Sequence, residues 1–277
     1  MQNWRRPVTL CVAPNGGRRS KADNPALPLT TTEVVETASA CLEAGASMIH
    51  VHVRDGNGDH SLDPDAFLAE LAALRSAVGG RLVLQITSES LGRFQPAEQM
   101  ASVRAVRPEA VSLALRELAP DTAAEPAFSA FLEWLARERI APQIILYTPE
   151  EAMRLAQMQA RGLIPFDDIP VLFVLGRYTP GQKSQPIDLL PFLAEGQPRF
   201  RHWMTCAFGS GETACVTTAA LLGGNARVGM ENNLVMPDGS PVPHNASLVA
   251  AAAHALAACG MPLGTADGLR ALWGIER

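Results

Sequence analysis

The sequence lacks the cysteine pattern of a disulfide-stapled or zinc-ribbon protein. Its five cysteines are scattered over 277 residues, and no two of them form a CxxC pair. Such spacing indicates reduced thiols in a reducing compartment. It therefore argues against a small secreted scaffold held by disulfides.

Long apolar runs and an excess of basic residues are also missing. No apolar stretch reaches the roughly 20 residues that a membrane-spanning helix needs, and the first apolar run is too short for a signal peptide because Pro14 breaks it. Lys and Arg number 23 against 28 Asp and Glu, which gives a net charge of −5 and disfavours polyanion binding. We therefore expect a cytoplasmic protein that binds neither nucleic acid nor membranes.

The sequence does contain a repeated alternation of short apolar runs and segments of helical periodicity. Hydrophobic residues make up 47% of the chain, which is enough for an ordinary globular core. We predict strands over residues 8–13, 48–54, 82–87, 110–115, 143–147, 171–176, 203–208 and 226–230. We predict helices over about 31–44, 64–78, 96–106, 126–139, 149–161, 186–193, 212–222 and 246–259.

Eight strand–helix units in a chain of this length predict the α/β class and a closed (β/α)8 TIM barrel, as a single domain over residues 1–277. The alternative is an open doubly wound sheet. That fold usually carries a GxGxxG fingerprint after its first strand, whereas Asn15-Gly16-Gly17-Arg18 does not match it and leads into a long loop. We therefore favour the barrel.

Two histidines share one face of the second predicted strand. His50 and His52 are two residues apart, so they point the same way from an extended chain, and Zn²⁺ is a common partner for paired imidazoles. Glu231 follows the eighth strand, which in a closed barrel lies close to the second. We predict a metal site of His50, His52 and Glu231. The alternative is that one histidine is an ordinary core residue and Glu231 pairs with a neighbouring cation.

Other polar groups follow the predicted strands, at the end where barrel enzymes bind their substrates. A helix N-terminus after Ser210 and Gly211 would suit an anion, although a plain connector is an alternative. The loop over 176–183 adds two cations, with a solvated loop as the alternative. The other histidines are interpreted as structural or surface residues: His202 near the end of the seventh strand that lies away from the site, and His60, His244 and His254 in loops or helices. Further candidates at strand ends are Asn15, Arg18, Thr87, Glu89, Arg116 and Glu117.

Five blocks of sequence together resemble the β-keto acid cleavage enzymes: Asn15-Gly16-Gly17, Ala44-Gly45-Ala46, residues 50–55 (HVHVRD), Pro108-Glu109 and residues 227–234 (RVGMENNL). The resemblance implies a (β/α)8 barrel, a homo-oligomer (tetramer or dimer) and a catalytic divalent metal, usually zinc. It implies that a β-keto acid reacts with acetyl-CoA to give acetoacetate and a new acyl-CoA.

The same resemblance implies roles for single residues. His50, His52 and Glu231 are the implied metal ligands, Arg227 would orient charge near the metal, and Thr87 matches a serine that contacts the reacting group.

Two departures from the family member that acts on 3-keto-5-aminohexanoate are informative. Asn232 stands where that enzyme has an aspartate base, and an amide cannot take up a proton at neutral pH. Arg18 replaces a glutamate that recognises the substrate ammonium, so we expect another substrate, with an anionic or polar tail near Arg18 and Arg116. Glu89 and Glu117 are then the candidates for the base. The alternative is that they form structural ion pairs with Arg93 or Arg116.

Two other functions remain open from the sequence. A zinc-dependent barrel hydrolase would use a metal hydroxide on an ester or amide. A catalytically silent homologue would keep the site as a ligand-binding pocket, and Asn232 and Arg18 are the residues that keep this alternative open.

Overall fold

The barrel strands are short buried runs, as expected for a parallel sheet that is covered on both faces. The structure, a computed structural model, describes residues 5–275. Eight of its strands close into one parallel barrel: β1 (Leu10–Val12), β2 (Met48–Val51), β5 (Val83–Thr87), β6 (Ala110–Ala114), β7 (Ala141–Leu146), β8 (Val171–Leu175), β9 (Trp203–Ala207) and β10 (Asn225–Val228). Two more strands, β3 (Val53–Arg54) and β4 (His60–Ser61), form a separate antiparallel hairpin.

Helices connect the strands and begin at ordinary helix-start signals. Thr30 caps the first of them in a capping box with Glu33, and Pro64, Pro96 and Pro149 occupy first-turn positions. The helices are α1 (Thr31–Glu43), α2 (Pro64–Val78), α3 (Pro96–Val106), α4 (Leu115–Leu118), α5 (Glu125–Arg137), α6 (Pro149–Ala160), α7 (Leu190–Leu193), α8 (Glu212–Leu221), α9 (Asn245–Ala258) and α10 (Ala266–Trp273). A 3₁₀ turn over Pro186–Leu189 precedes α7.

Strand β1 closes the barrel because it pairs with both β2 and β10. Cys11 lies opposite Arg227 of β10 and opposite Met48 of β2. His50 is two residues beyond Met48, and Glu231 is four residues beyond Arg227. The register therefore brings both to the same end of the barrel.

Inside the barrel, side chains change from apolar to polar along the axis. Met48, Val83 and Ala110 belong to a buried apolar cluster. Two residues further along the same strands, His50, Gln85 and Ser112 are buried polar groups. The apolar end stabilises the fold, and the polar end is where an active site is expected in a barrel of this kind.

The predicted barrel is confirmed, and the differences are local. The second predicted strand, 48–54, ends at Val51, because the backbone turns at His52 into the β3–β4 hairpin. Leu115 begins helix α4 instead of ending a strand, and α10 was not predicted. The assignment of His60 to a loop or helix was wrong, since His60 is a buried residue of β4.

Within residues 5–275, no helix combines the length and the apolar character that crossing a membrane requires.

Candidate metal centre and active site

Three side chains converge at the carboxyl end of the barrel strands. The Nε2 atoms of His50 and His52 are 3.1 Å apart, and Glu231 Oε2 lies 3.7 Å from the first and 3.4 Å from the second. One ligand atom from each residue lies within 4.8 Å of the others. The spacing allows all three to reach one cation.

The hydrogen bond of His50 determines which of its nitrogens is free. Its Nδ1 lies 2.8 Å from Gln85 Oε1, and an amide oxygen only accepts, so Nδ1 carries the proton. The Gln85 amide in turn donates to Gln143 Oε1 at 3.1 Å. The Nε2 atom of His50 is therefore unprotonated, and its lone pair is directed at the centre of the site, where it could bind a metal ion.

The electrostatics of the three residues also fit a divalent cation. Burial, followed by the charge of Arg227, holds the pKa of His50 well below its ordinary value, so its imidazole is neutral. Burial alone would raise the pKa of Glu231, but Arg227 and then His52 hold it well below its usual range. The buried Glu231 Oε2 has no hydrogen-bond partner among the described residues. Two imidazole nitrogens and one unpartnered carboxylate oxygen are a suitable ligand set for Zn²⁺.

Glu231 is held in place from two sides. Arg227, which is 2% exposed, donates from Nη2 to Glu231 Oε1 and leaves Oε2 for the centre. The Glu231 backbone N–H donates to the Ala13 carbonyl at 3.1 Å. Gly229 makes this turn possible, because its φ of +142° and its contact with Ala13 leave no room for a β-carbon.

Glu89 and Thr87 lie beside the three ligands, at the end of β5. Glu89 Oε2 is 4.0 Å from His52 Nδ1, and burial raises the pKa of this carboxyl. The Glu89 backbone N–H donates to Thr87 Oγ1 at 2.9 Å. On the opposite side, Asn232 is buried, and its Oδ1 has no partner among residues 5–275.

Comparison with known proteins connects this arrangement to a family. The sequence profile described as "beta-keto acid cleavage enzyme" matches residues 7–275. The chain belongs to this family. The predicted resemblance is thereby confirmed.

Curated relatives of this β-keto acid cleavage enzyme align over nearly their whole length. The 3-oxoadipate:acetyl-CoA acetyltransferase of Cupriavidus necator is 29% identical, over 97% of this chain and 95% of the relative. The 3-keto-5-aminohexanoate cleavage enzyme of Fusobacterium nucleatum is 26% identical, over 98% of each. The 3-dehydrocarnitine:acetyl-CoA trimethylamine transferase of Rhizobium meliloti is 27% identical, over 91% of each.

Solved structures share the fold. The binary complex of ObcA with oxaloacetate superimposes with a TM-score of 0.69 at 18% identity, covering 91% of this chain and 68% of that one. The ternary complex of ObcA with a C4-CoA adduct and oxalate gives 0.68 at 17% identity, over 90% and 68%. At these identities the likeness extends to the barrel only.

Two cavities meet at the predicted ligands of the enzyme. The deep cavity contains His50, His52 and Arg227 and is walled by apolar side chains such as Leu172 and Val174. The side cavity lies between the loop over 15–19 and the loop that carries Arg177. Glu89, Phe208 and Glu231 line both.

Most of the site residues predicted from the sequence line these cavities. Thr87, Glu89, Arg227 and Asn232 line the deep cavity, and Asn15 and Arg18 line the side cavity. Asn15 also donates from Nδ2 to the His52 carbonyl at 3.0 Å, which connects the loop after β1 to a predicted metal ligand.

Four predicted residues lie outside both cavities. Glu117 accepts from the Ser90 N–H at 2.9 Å and from Gln99, and Arg116 pairs with Glu151. Ser210 is exposed, and Gly211 packs so closely on the Ser184 carbonyl that a β-carbon would not fit. The roles predicted for these four remain predictions, and the geometry offers them no direct contact with the centre.

Sequence reasoning did not single out three residues of the site, although Arg177 was one of the two cations noted in the loop over 176–183. Gln85 is two positions before Thr87 on β5 and shares its face, a signal that was present in the sequence. Tyr147 lines the deep cavity with its ring 4.2 Å from the Arg116 guanidinium. Arg177 belongs to both cavities, but nothing in the pattern of its loop distinguishes it from a solvated cation.

Proposed function

We propose that this enzyme converts a β-keto acid and acetyl-CoA into acetoacetate and a new acyl-CoA. The C2–C3 bond of the keto acid breaks, C2 becomes bonded to the acetyl carbonyl carbon, and the CoA thiolate moves to the former C3 carbonyl. No electrons or protons are gained or lost overall. Support comes from the family and from relatives whose names specify acetyl-CoA and different keto acids.

His50, His52 and Glu231 are the residues that would hold a divalent metal, with Zn²⁺ the best match to two nitrogens and a carboxylate. When bound, such an ion supplies Lewis acidity towards keto and carboxylate oxygens. The convergence of two imidazole nitrogens and one unpartnered carboxylate oxygen is the observation that carries this assignment.

The neighbouring side chains would transfer protons and orient the substrate and Glu231. Glu89 takes the proton from C2, and its burial brings the carboxyl pKa towards the range that suits a general base. The Thr87 oxygen accepts from the Glu89 N–H, so its own proton is free to donate to a reacting oxygen. Arg227 holds Glu231 in its ligand orientation, and the Asn232 amide orients the substrate.

The remaining parts of the proposal concern the assembly and its setting. We propose a single-domain barrel that forms a homo-oligomer in the cytoplasm, with acetyl-CoA as co-substrate. Light scattering on the eluted protein would measure the number of subunits.

Metal removal tests the proposal directly. Acetoacetate formation from acetyl-CoA and a panel of β-keto acids, 3-oxoadipate among them, should stop with a chelator and return with Zn²⁺. Ester hydrolysis without CoA would instead indicate the hydrolase alternative. Tight ligand binding without turnover over the whole panel would indicate the catalytically silent alternative.

His52→Ala tests the metal ligands independently of substrate. The variant should lose stoichiometric metal, measured by elemental analysis, and should keep the circular dichroism of the wild type. His254→Ala is the matched control, because His254 is an exposed residue of α9. Full metal content in His52→Ala would show that the assigned site is wrong.

A further inference from the structure

The side cavity contains three guanidinium groups next to the predicted metal ligands. Arg18 and Arg19 come from the loop after β1, and Arg177 comes from the loop after β8. The same cavity is lined by two carboxylates, Glu89 and Glu231. An anion is the ligand that this arrangement of charges suits.

The two carboxylates neutralise the three arginines only in part. Glu231 is engaged by Arg227 through a charged hydrogen bond. Glu89 Oε1 is 3.9 Å from Arg18 Nη2, too long for a hydrogen bond. Within residues 5–275, no ion pair shorter than 4 Å joins Arg19 or Arg177 to a carboxylate. The cavity therefore carries an excess of positive charge.

The arginines lie on loops that are held in place by contacts with the rest of the protein. Arg54 of β3 donates to the carbonyls of Gly16 and Arg19 and so holds the β1 loop. The Arg19 side chain donates to the Asn232 carbonyl at 3.3 Å. On the other side, the Arg177 guanidinium lies 5.2 Å from the Phe208 ring centre. Little ordering of the loops is needed when an anion binds.

The position of the cavity identifies which part of the reactants carries that anion. Glu231 and Glu89 line both cavities, so the arginines border the place where the keto acid would react. The phosphates of acetyl-CoA are separated from the thioester by the whole pantetheine arm and lie too far from that place. The anion is therefore on the keto acid, at the end opposite its reacting carboxylate.

We infer that the side cavity binds the distal carboxylate of a dicarboxylic β-keto acid, with Arg177 and Arg18 as the residues that determine this specificity. The inference rests on the proposed function. For 3-oxoadipate the balanced reaction gives acetoacetate and succinyl-CoA, and the distal carboxylate stays with the acyl group that is transferred to CoA. An ammonium tail in the same place would be repelled by three cations.

Three substrates of equal chain length test the inference in the metal-loaded enzyme. They are 3-oxoadipate with an anionic tail, 3-oxohexanoate with a methyl end, and 3-keto-5-aminohexanoate with a cationic substituent. We expect kcat/KM to fall at least tenfold from the first to the second and further to the third, as for the loss of a charge-assisted hydrogen bond. Equal values for the anionic and the neutral substrate would overturn the inference.

Arg177→Gln assigns the effect to the side cavity. We expect kcat/KM for 3-oxoadipate to fall roughly tenfold to a hundredfold, with a clearly smaller loss for 3-oxohexanoate, and Arg177→Lys should keep part of the preference. Arg201→Gln is the matched control, since Arg201 pairs with Asp168 before β9. A higher KM for acetyl-CoA with unchanged substrate preference would assign Arg177 to a phosphate instead.

Equilibrium binding separates this inference from the proposed reaction. Calorimetry of the metal-loaded protein with 3-oxoadipate and with its distal monomethyl ester should show at least tenfold tighter binding of the diacid, and Arg177→Gln should remove the difference. If no substrate is turned over but this difference is present, the proposed reaction fails and the anion site stands. If turnover occurs but the diacid and its monomethyl ester bind equally tightly, the anion site is refuted and the proposed reaction stands.

Discussion

Gly16 lies directly against the side chain of Glu231. A β-carbon at Gly16 would come within 2.6 Å of Glu231 Cγ, and the Gly16 backbone has a φ of +61°. The loop after β1 and the ligand after β10 therefore fit together only when this residue has no side chain.

Gly16→Ala should weaken metal binding by displacing Glu231. We expect at least a tenfold rise in the dissociation constant for Zn²⁺, measured by competition with a chelator. Gly162→Ala is the control, because Gly162 has a φ of +76° and no heavy atom within 4 Å of the added carbon. Backbone strain of about 1 kcal/mol is common to both variants, so equal metal affinity in the two would refute the contact with Glu231.

Gln85→Leu should also weaken the metal site, because it removes the acceptor that holds the His50 Nδ1 proton. Loss of such a supporting hydrogen bond typically costs 10–100-fold in affinity. The same chelator competition measures it. Gln99→Leu removes another buried amide that contacts Ser88 and Glu117 but no ligand, and wild-type affinity is expected there. Wild-type affinity in Gln85→Leu would mean that His50 is oriented by packing alone.

Glu89→Gln should slow removal of the C2 proton by about a hundredfold or more if Glu89 is the base. Deuterium exchange into the keto acid without acetyl-CoA measures this step separately from acyl transfer. The same experiment on Glu117→Gln compares the two carboxylates predicted from the sequence, and exchange near the wild-type rate is expected. Fast exchange in Glu89→Gln would remove Glu89 from this role.

Glu70 should make the protein less stable as the pH rises. Burial raises its pKa from 4.5 to about 7, against a smaller opposing effect of the Thr31 hydroxyl. Between these values the folded protein keeps a proton that the unfolded chain has released, so the free energy of unfolding falls across this window. The loss is about 3 kcal/mol at most. Above pH 7 no further loss is expected from this group.

Urea unfolding from pH 5 to pH 8 checks this dependence. Glu70→Gln should have a flatter profile and should be more stable than the wild type at pH 8. Glu43→Gln is the control, because Glu43 is 77% exposed and should leave the slope unchanged. A Glu70→Gln profile parallel to the wild type would contradict the assignment.

The barrel could be predicted from the sequence because its strands are apolar runs at regular spacing and several of them are followed by a helix-start signal. The hairpin of β3 and β4 could not, since its strands have two residues each and include polar His60 and Ser61. Helix α4 was not predicted because Leu115 continues the apolar run of β6 in the sequence. Short elements are defined by tertiary contacts that local sequence does not encode.

The convergence of His50, His52 and Glu231 was predictable because a two-residue spacing on a strand and the closure of a barrel are general geometry. The surroundings of Glu117 were not, since its contacts with Ser90 and Gln99 depend on how α3 packs beside the end of β6. Arg177 was indistinguishable from a surface cation until its loop was placed over the side cavity.

Closure of the barrel by β1 and β10 has a consequence during synthesis of the chain. His50 and Glu231 are separated by most of the polypeptide, and β10 reaches its place only by pairing with β1 and β9. A growing chain still on the ribosome therefore has two imidazoles but no third ligand until the last strand emerges. Capture of the proposed metal is expected to be among the final events of biogenesis, and a product that terminates before Glu231 should be unable to retain a metal ion.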